Sequence, residues 1–437
     1  MLLNRFILCL LWIIPTLGHA TSTNNIEHWK TTNGAQVYFI QANELPMVDI
    51  RIIFDAGSAR DGGKFGLAQL SNALLDEGAG NLDADAIAER FDNLGAQFST
   101  DSARDMAIIN LRSLTKEDVL TSALETTALI LAKPSVPDKS FIRIRSQMEQ
   151  ALQRQEQSPS SLASRSFYEF LYGDHPYGHQ SLGTAKTLAT LTRNDVLDFY
   201  RKYYVEKNAT ISMVGALTHS QAEKLTKTLM QGIPTGDLAS SLPQVTVINA
   251  SKENTIAYPS TQTTIILGTL GITRDDPDYF PLYVGNHILG GSGLVSRLSI
   301  ELREKRGLTY GVSSYFVPMH SKGPYILSLQ TRNEQAAEAL KVLNQTLKDF
   351  IENGPTEEEL TLAKQNIVGS FPLNLNSNGK KVQQLAAIGF YHLPLDYLDQ
   401  FVSKIESITA DQIRIAFKNR INLNQIVTVM AGENREK

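Results

Sequence analysis

Apolar residues recur along the chain with two different periods. VDIRIIF (48–54) and MAIINL (106–111) are short runs rich in β-branched and large apolar residues, which predicts strands. Between them Asp83 precedes Ile87, Phe91 and Leu94, spaced as one face of a helix, and Gly95 closes the pattern, so a helix capped by Asp83 is expected there. The same mixture returns further on. TTIILGTL (263–270) and YILSLQ (325–330) predict strands, and residues 335–351 predict a helix. Strands come in adjacent groups with several helices between them, which favours an α+β fold over a doubly wound sheet. GIPTGDLASSLPQ (232–244) is rich in Gly, Pro and Ser and reads as connecting chain. A linker is expected over 236–244, between one domain over 21–235 and another over 245–437.

The two parts repeat each other. TRNDVLDFYRKYYVEKNATISMVG, from Thr192 to Gly215, lies without a gap on TADQIRIAFKNRINLNQIVTVMAG, from Thr409 to Gly432. Each reads as an amphipathic helix followed by an apolar strand ending in glycine. FGLAQLSNALL, from Phe65, lies on YFPLYVGNHIL, from Tyr279, which sets Asn72 opposite Asn286. Two collinear matches at nearly the same offset point to an internal duplication.

The first twenty residues, MLLNRFILCLLWIIPTLGHA, change the picture. One early cation, Arg5, precedes an apolar run from Phe6 to Leu17, and Gly18 and Ala20 are small enough for a cleavage site. The run is short for a bilayer span, which needs about 20 apolar residues, and Pro15 interrupts it. It reads as a secretory signal cleaved after Ala20. Cys9, the only cysteine, lies inside it, so the mature chain would carry no thiol, disulfide or cysteine metal site. Export without disulfides suits a bacterial periplasm. The net charge of −4, with both signs interspersed, gives no basis for nucleic-acid binding or for an anionic membrane surface, and no later apolar run is long enough to span a bilayer.

Two stretches carry candidate chemistry. FGLAQLSNALLDEG (65–78) is an apolar helix led by Gly66, with polar residues at Gln69 and Asn72. SRLSIELREKRGLTYGVSSYF (296–316) follows Leu294; with Leu298 and Leu302 that residue forms an apolar stripe, the helix is expected to stop at Gly307, and a strand is expected to start near Tyr310. Arg303 then sits on the helix's last turn. The other polar clusters are weaker. His175 and His179 in DHPYGH are separated by Pro176 and Gly178, which favour a turn over a metal-binding helix. NHILGGSG, with His287, lacks the lysine and Ser/Thr of a phosphate loop, so Gly290, Gly291 and Gly293 read as sites of close backbone packing.

Over nearly its whole mature length the chain resembles the M16 peptidases, the pitrilysin and mitochondrial-processing-peptidase group. The resemblance implies two homologous domains of mixed or antiparallel sheet packed with helices. Active members carry H-x-x-E-H on a helix of the first half, two histidines binding zinc and the glutamate acting as base. Here Gln69 stands for the first histidine, Asn72 for the glutamate and Ala73 for the second histidine. Glu149 falls about where the third ligand belongs, although RSQMEQALQRQEQ around it reads as a solvated helix face. LREKRGLTY resembles the family's arginine and tyrosine that contact substrate opposite the zinc, which maps those roles onto Arg303 and Tyr310. In the alternative, Arg303 pairs with a neighbouring acid and Tyr310 is strand core.

What the resemblance implies is a non-catalytic subunit of a periplasmic zinc endopeptidase. It would hold no metal itself, and a partner subunit with the intact zinc motif would supply the zinc and share the peptide substrate. The alternative is a non-enzymatic structural or peptide-holding protein, as M16-like core subunits of a respiratory complex suggest.

Overall fold

The computed structural model describes residues 25–433, so the expected signal segment and Cys9 lie outside the described residues. Strands β1 (Glu27–Lys30), β2 (Gln36–Gln41), β3 (Met47–Phe54), β4 (Gln97–Ser102), β5 (Ala107–Leu114) and β6 (Ala209–Gly215) form one sheet, ordered β1-β2-β6-β3-β5-β4. Strands β7 (Lys252–Ala257), β8 (Gln262–Leu270), β9 (Val312–Phe316), β10 (Pro324–Arg332) and β11 (Val427–Gly432) form the other, ordered β9-β10-β8-β11-β7. Set β2, β6, β3, β5 and β4 beside β7, β11, β8, β10 and β9, and the two orders coincide. Each sheet has one parallel pairing, β2 with β6 and β7 with β11. The duplication read from the sequence is therefore a duplication of topology.

Local signals act where they were expected. Asp83 caps the Ala84–Leu94 helix by accepting from the Ala86 N–H, and Gly95 ends it at φ 61°. The paired segments fold alike, as the helices Arg193–Tyr203 and Ala410–Arg420 followed by β6 and β11. The helix expected over 335–351 runs Ala336–Asn353. Strand β5 extends to Leu114, beyond the apolar run, because its outer residues alternate in burial.

The two halves exchange a helix. The Pro159–Tyr172 helix of the first half covers β8 and β11, whereas the Asn378–Phe390 helix of the second half covers β2, β3 and β6. Apolar clusters follow this exchange. Phe167 and Leu171 are buried with Ile266, Ile326 and Val429, and Val382 and Leu385 with Tyr38, Ile40 and Val214. Glycines allow the close approach. A Cβ on Gly389 would meet the Tyr38 ring at 2.6 Å, and one on Gly268 would meet the Tyr325 carbonyl oxygen at 2.2 Å and the Phe167 ring at 2.8 Å. Gly268→Ala should therefore lower stability by about 1–3 kcal/mol, the usual cost of overpacking. A urea midpoint equal to wild type would show that the exchanged helix is not seated against β8.

A polar hub also crosses between the halves. The Asp105 carboxylate accepts from the Tyr177 hydroxyl at 2.5 Å and from the His320 N–H at 2.9 Å, and Ser321 N–H donates to the Tyr177 oxygen at 3.1 Å. His320 and Ser321 lie in the connection from β9 to β10. Tyr310 lies just ahead of β9, so the hairpin that follows it is anchored to the first half at its far end.

Candidate functional site

The degenerate helix runs Leu67–Ala73 behind Gly66, whose φ of 94° only glycine adopts readily. A side chain there would strike the Leu182 carbonyl oxygen at 2.8 Å and Leu188 at 2.9 Å. Gly66 stands at the N-cap and has no side chain to satisfy the first N–H groups. Asp61 does this from outside, accepting from Gly66 N–H at 2.8 Å and Ala68 N–H at 2.7 Å. The His179 imidazole donates to the same carboxylate at 3.1 Å and stacks on Phe65 at 4.2 Å. His175 bonds the Pro243 carbonyl oxygen at 2.9 Å and accepts from Tyr177 N–H. Both histidines thus hold the turn and the helix start. The sequence singled out neither Asp61 nor its pairing with His179; the available signal was an acid shortly ahead of a glycine-led helix.

Gln69 and Ala73 lie one turn apart on the partly exposed side of that helix, while Asn72 is buried. Asn72 donates to the Tyr204 hydroxyl at 3.3 Å, and burial raises the Tyr204 pKa well above its ordinary value. Asn286, its counterpart in the repeat, also works for the fold: it donates to the Ser314 carbonyl at 3.0 Å and accepts from the Ser314 hydroxyl at 2.7 Å. Glu149 sits on the Asp138–Glu156 helix, half-buried, 3.7 Å from Arg145 of the same helix.

Around Arg303 the helix differs from the expected stripe. Leu298 and Leu302 are buried, but Leu294 is 56% exposed, because the helix starts only after Ser296, whose hydroxyl caps it. Ile300–Glu304 widens into a π-helical turn, a feature that often marks functional sites. Gly307, at φ 61°, follows it: Gly307 N–H donates to the Arg303 carbonyl, the single bond of an αL cap, and Leu308 N–H reaches back to the Leu302 carbonyl. Glu301 takes both Lys305 and Arg306, at 2.6 Å each, and these cations hold its pKa below the ordinary value. Among the described residues Arg303 makes no ion pair within 4.0 Å.

The strand starts at Val312, so Tyr310 belongs to the preceding loop, and with 86% of its surface exposed it is not strand core. Its neighbours are pinned. Thr309 donates to the Gln330 carbonyl at 2.6 Å and accepts from Gly311 N–H, and Thr331 donates to the Leu308 carbonyl at 2.5 Å. Fixed backbone on both sides turns the tyrosine ring outward. The Arg303 guanidinium lies 4.6 Å from that ring's centre, a cation–π contact that brings the two together at the surface. Of the expected packing glycines, Gly290 is one, since a Cβ would meet Ser314 N at 2.7 Å; Gly293 instead supplies φ 64° with open space around it.

Residues 37–185 match insulinase (peptidase family M16) and residues 190–367 match the peptidase M16 inactive domain. The chain belongs to peptidase family M16. It is similar to the solved peptidase M16 inactive domain from Pseudomonas fluorescens, at 42% identity and a TM-score of 0.91, covering 94% of this chain and 98% of that one. An uncharacterized zinc protease of Rickettsia bellii is 25% identical over 410 residues, 93% of this chain and 97% of its own. The non-peptidase homolog YmxG of Helicobacter pylori is 24% identical over 407 residues, 92% of this chain and 93% of its own.

The M16 zinc does not fit the donors present here. A catalytic site needs about three protein ligands and an open position for water. Ala73 has no donor atom, Gln69 and Asn72 offer neutral amides, Asn72 is committed to Tyr204, and Glu149 lies beside a cation. Among the described residues no group of three or more His, Cys, Asp or Glu is placed to hold a metal. No described helix is long and apolar enough to cross a membrane.

Proposed function

We propose that the chain is the non-catalytic subunit of a two-chain periplasmic zinc endopeptidase, presenting Arg303 and Tyr310 to peptide bound at a partner's zinc site. The observation that carries this reading is the pair itself: an exposed tyrosine on a pinned loop, with an arginine stacked on its ring that has no ion pair within 4.0 Å among the described residues. A solvent-facing tyrosine gains nothing for the core. Its hydroxyl can donate to a carbonyl oxygen as that atom becomes an oxyanion, and the guanidinium offers a fork of N–H donors for the carbonyls of an extended peptide. The donor-poor helix supports the other side of the reading, since the metal must come from another chain.

The test is native purification of the tagged chain from the periplasm, with metal analysis. The expected result is a co-purifying M16 subunit with an intact H-x-x-E-H and about one zinc per pair, and none in this chain alone. Stoichiometric zinc that survives dialysis of the isolated chain, with chelator-sensitive peptidase activity, would overturn the reading.

A further inference from the structure

The duplication provides an internal comparison for a second arginine. Arg60 and Arg274 occupy matching positions just ahead of Phe65 and Tyr279. In the first half Arg60 grips Asp55 with two bonds, at 2.8 and 2.5 Å. The matching stretch of the second half is Thr269–Leu270, which has no carboxylate. Arg274 lies 4.4 Å from the centre of the Tyr279 ring and 5.7 Å from that of Tyr397, and donates to the Tyr397 hydroxyl at 3.4 Å. The nearby acids do not compensate for the loss. Asp276 and Asp278 are both held by Arg420, at 2.9 and 2.8 Å, and among the described residues Arg274 has no ion pair within 4.0 Å.

A half-buried guanidinium is normally matched by an acid, because desolvating the charge is unfavourable without one. Here the matching acid has gone while the arginine and a set of tyrosine hydroxyls remain. The rings continue along the helix. Tyr279 stacks on Tyr283 at 6.0 Å, and Tyr283, partly exposed, stands opposite Gln69 in the repeat. Tyr279 and Tyr283 therefore lie on the helix face that corresponds to the Gln69 and Ala73 side of the first half, with Arg274 in the connection just ahead of it.

We propose that Arg274, with the hydroxyls of Tyr279 and Tyr397, forms a carboxylate-binding site that takes an acidic group of a peptide held by this chain. It rests on the peptide-holding part of the proposed function. Arg274 keeps N–H donors beyond those it offers to Tyr397 and Tyr279, and because the two hydroxyls also bond to each other, one O–H of the pair remains to donate to the same carboxylate. The group is either a C-terminal carboxylate or an Asp or Glu side chain.

The experiment measures fluorescence anisotropy of dye-labelled peptides with the full mature chain as natively purified, together with any partner it brings. Three peptides are compared: one whose only carboxylate is its C-terminus, its C-terminal amide, and that amide with a single internal glutamate. One or both carboxylate peptides should bind roughly tenfold to a hundredfold more tightly than the neutral amide, the range for a charge-assisted hydrogen bond. The tighter of the two identifies the source of the carboxylate. Arg274→Gln should erase the preference, and Tyr397→Phe, which keeps the ring and so the packing, should reduce it if the arginine variant fails to fold. Arg303→Ala should weaken all three peptides and leave the preference intact. Peptide binding without discrimination, or discrimination that survives in both Arg274→Gln and Tyr397→Phe, overturns the Arg274 site alone. Absence of any peptide binding overturns the peptide-holding reading together with it.

Discussion

Tyr310→Phe, assembled with a zinc-bearing partner, is expected to lower kcat by about 10² to 10³, equivalent to roughly 3 to 4 kcal/mol of transition-state stabilisation. The ring stays, so the Arg303 contact at 4.6 Å and the pinned loop should survive, and only the hydroxyl donor is lost. Exposure makes the variant safe for the fold: with 86% of its surface open, Tyr310 supports little of the chain's own packing. Arg303→Ala should act differently. It removes a multivalent donor that holds substrate carbonyls before and during reaction, so KM should rise, and kcat should fall as far as positioning is lost. Neither change should release the partner or its zinc. Steady-state cleavage of a quenched peptide, with assembly followed by gel filtration, separates the cases. Unchanged kinetics in both correctly assembled variants would leave the chain a scaffold.

The sequence carried the architecture well because duplication is a signal of many residues at once. The gapless match from Thr192 onto Thr409 corresponds to equivalent helices and strands in two sheets of the same order. Asn72 and Asn286, set opposite each other by pattern alone, both bond inward from equivalent helices. Pairwise spacing was a poorer guide. Leu294 continued the apolar stripe on paper, yet Ser296 starts the helix after it and leaves it in solvent. The strand near Tyr310 begins two residues later, because Thr309 and Gly311 bond to each other across the tyrosine. The helix exchange had no local signature, since an amphipathic helix does not state which sheet it will cover. Bonds from Asp61 to Gly66 and His179, or from Asp105 to Tyr177, join residues far apart in sequence or concern backbone donors, which apolar periodicity does not record.

Asp61→Ala should be the most destabilising single change at the degenerate helix, at about 3 to 5 kcal/mol. The carboxylate is fully buried and serves three donors at once, the Gly66 and Ala68 N–H groups and the His179 ring. Alanine leaves all three without a partner, each unmet donor costing about 1 to 3 kcal/mol, partly relieved by relaxation or water entry. Asp61→Asn retains one acceptor oxygen and should lose less. The two variants also differ in pH dependence. Burial raises the Asp61 pKa above its unfolded value, whereas His179 and the two backbone bonds pull it back down. A raised acid contributes its full stability below the unfolded pKa and loses it as pH rises through the folded one. Wild type should therefore lose part of the Asp61 contribution as pH climbs from the ordinary carboxylate range, and Asp61→Asn should lack that decline. Urea denaturation across pH tests both statements. An Asp61→Ala midpoint within about 1 kcal/mol of wild type at neutral pH would mean that the helix start is held by something other than this carboxylate.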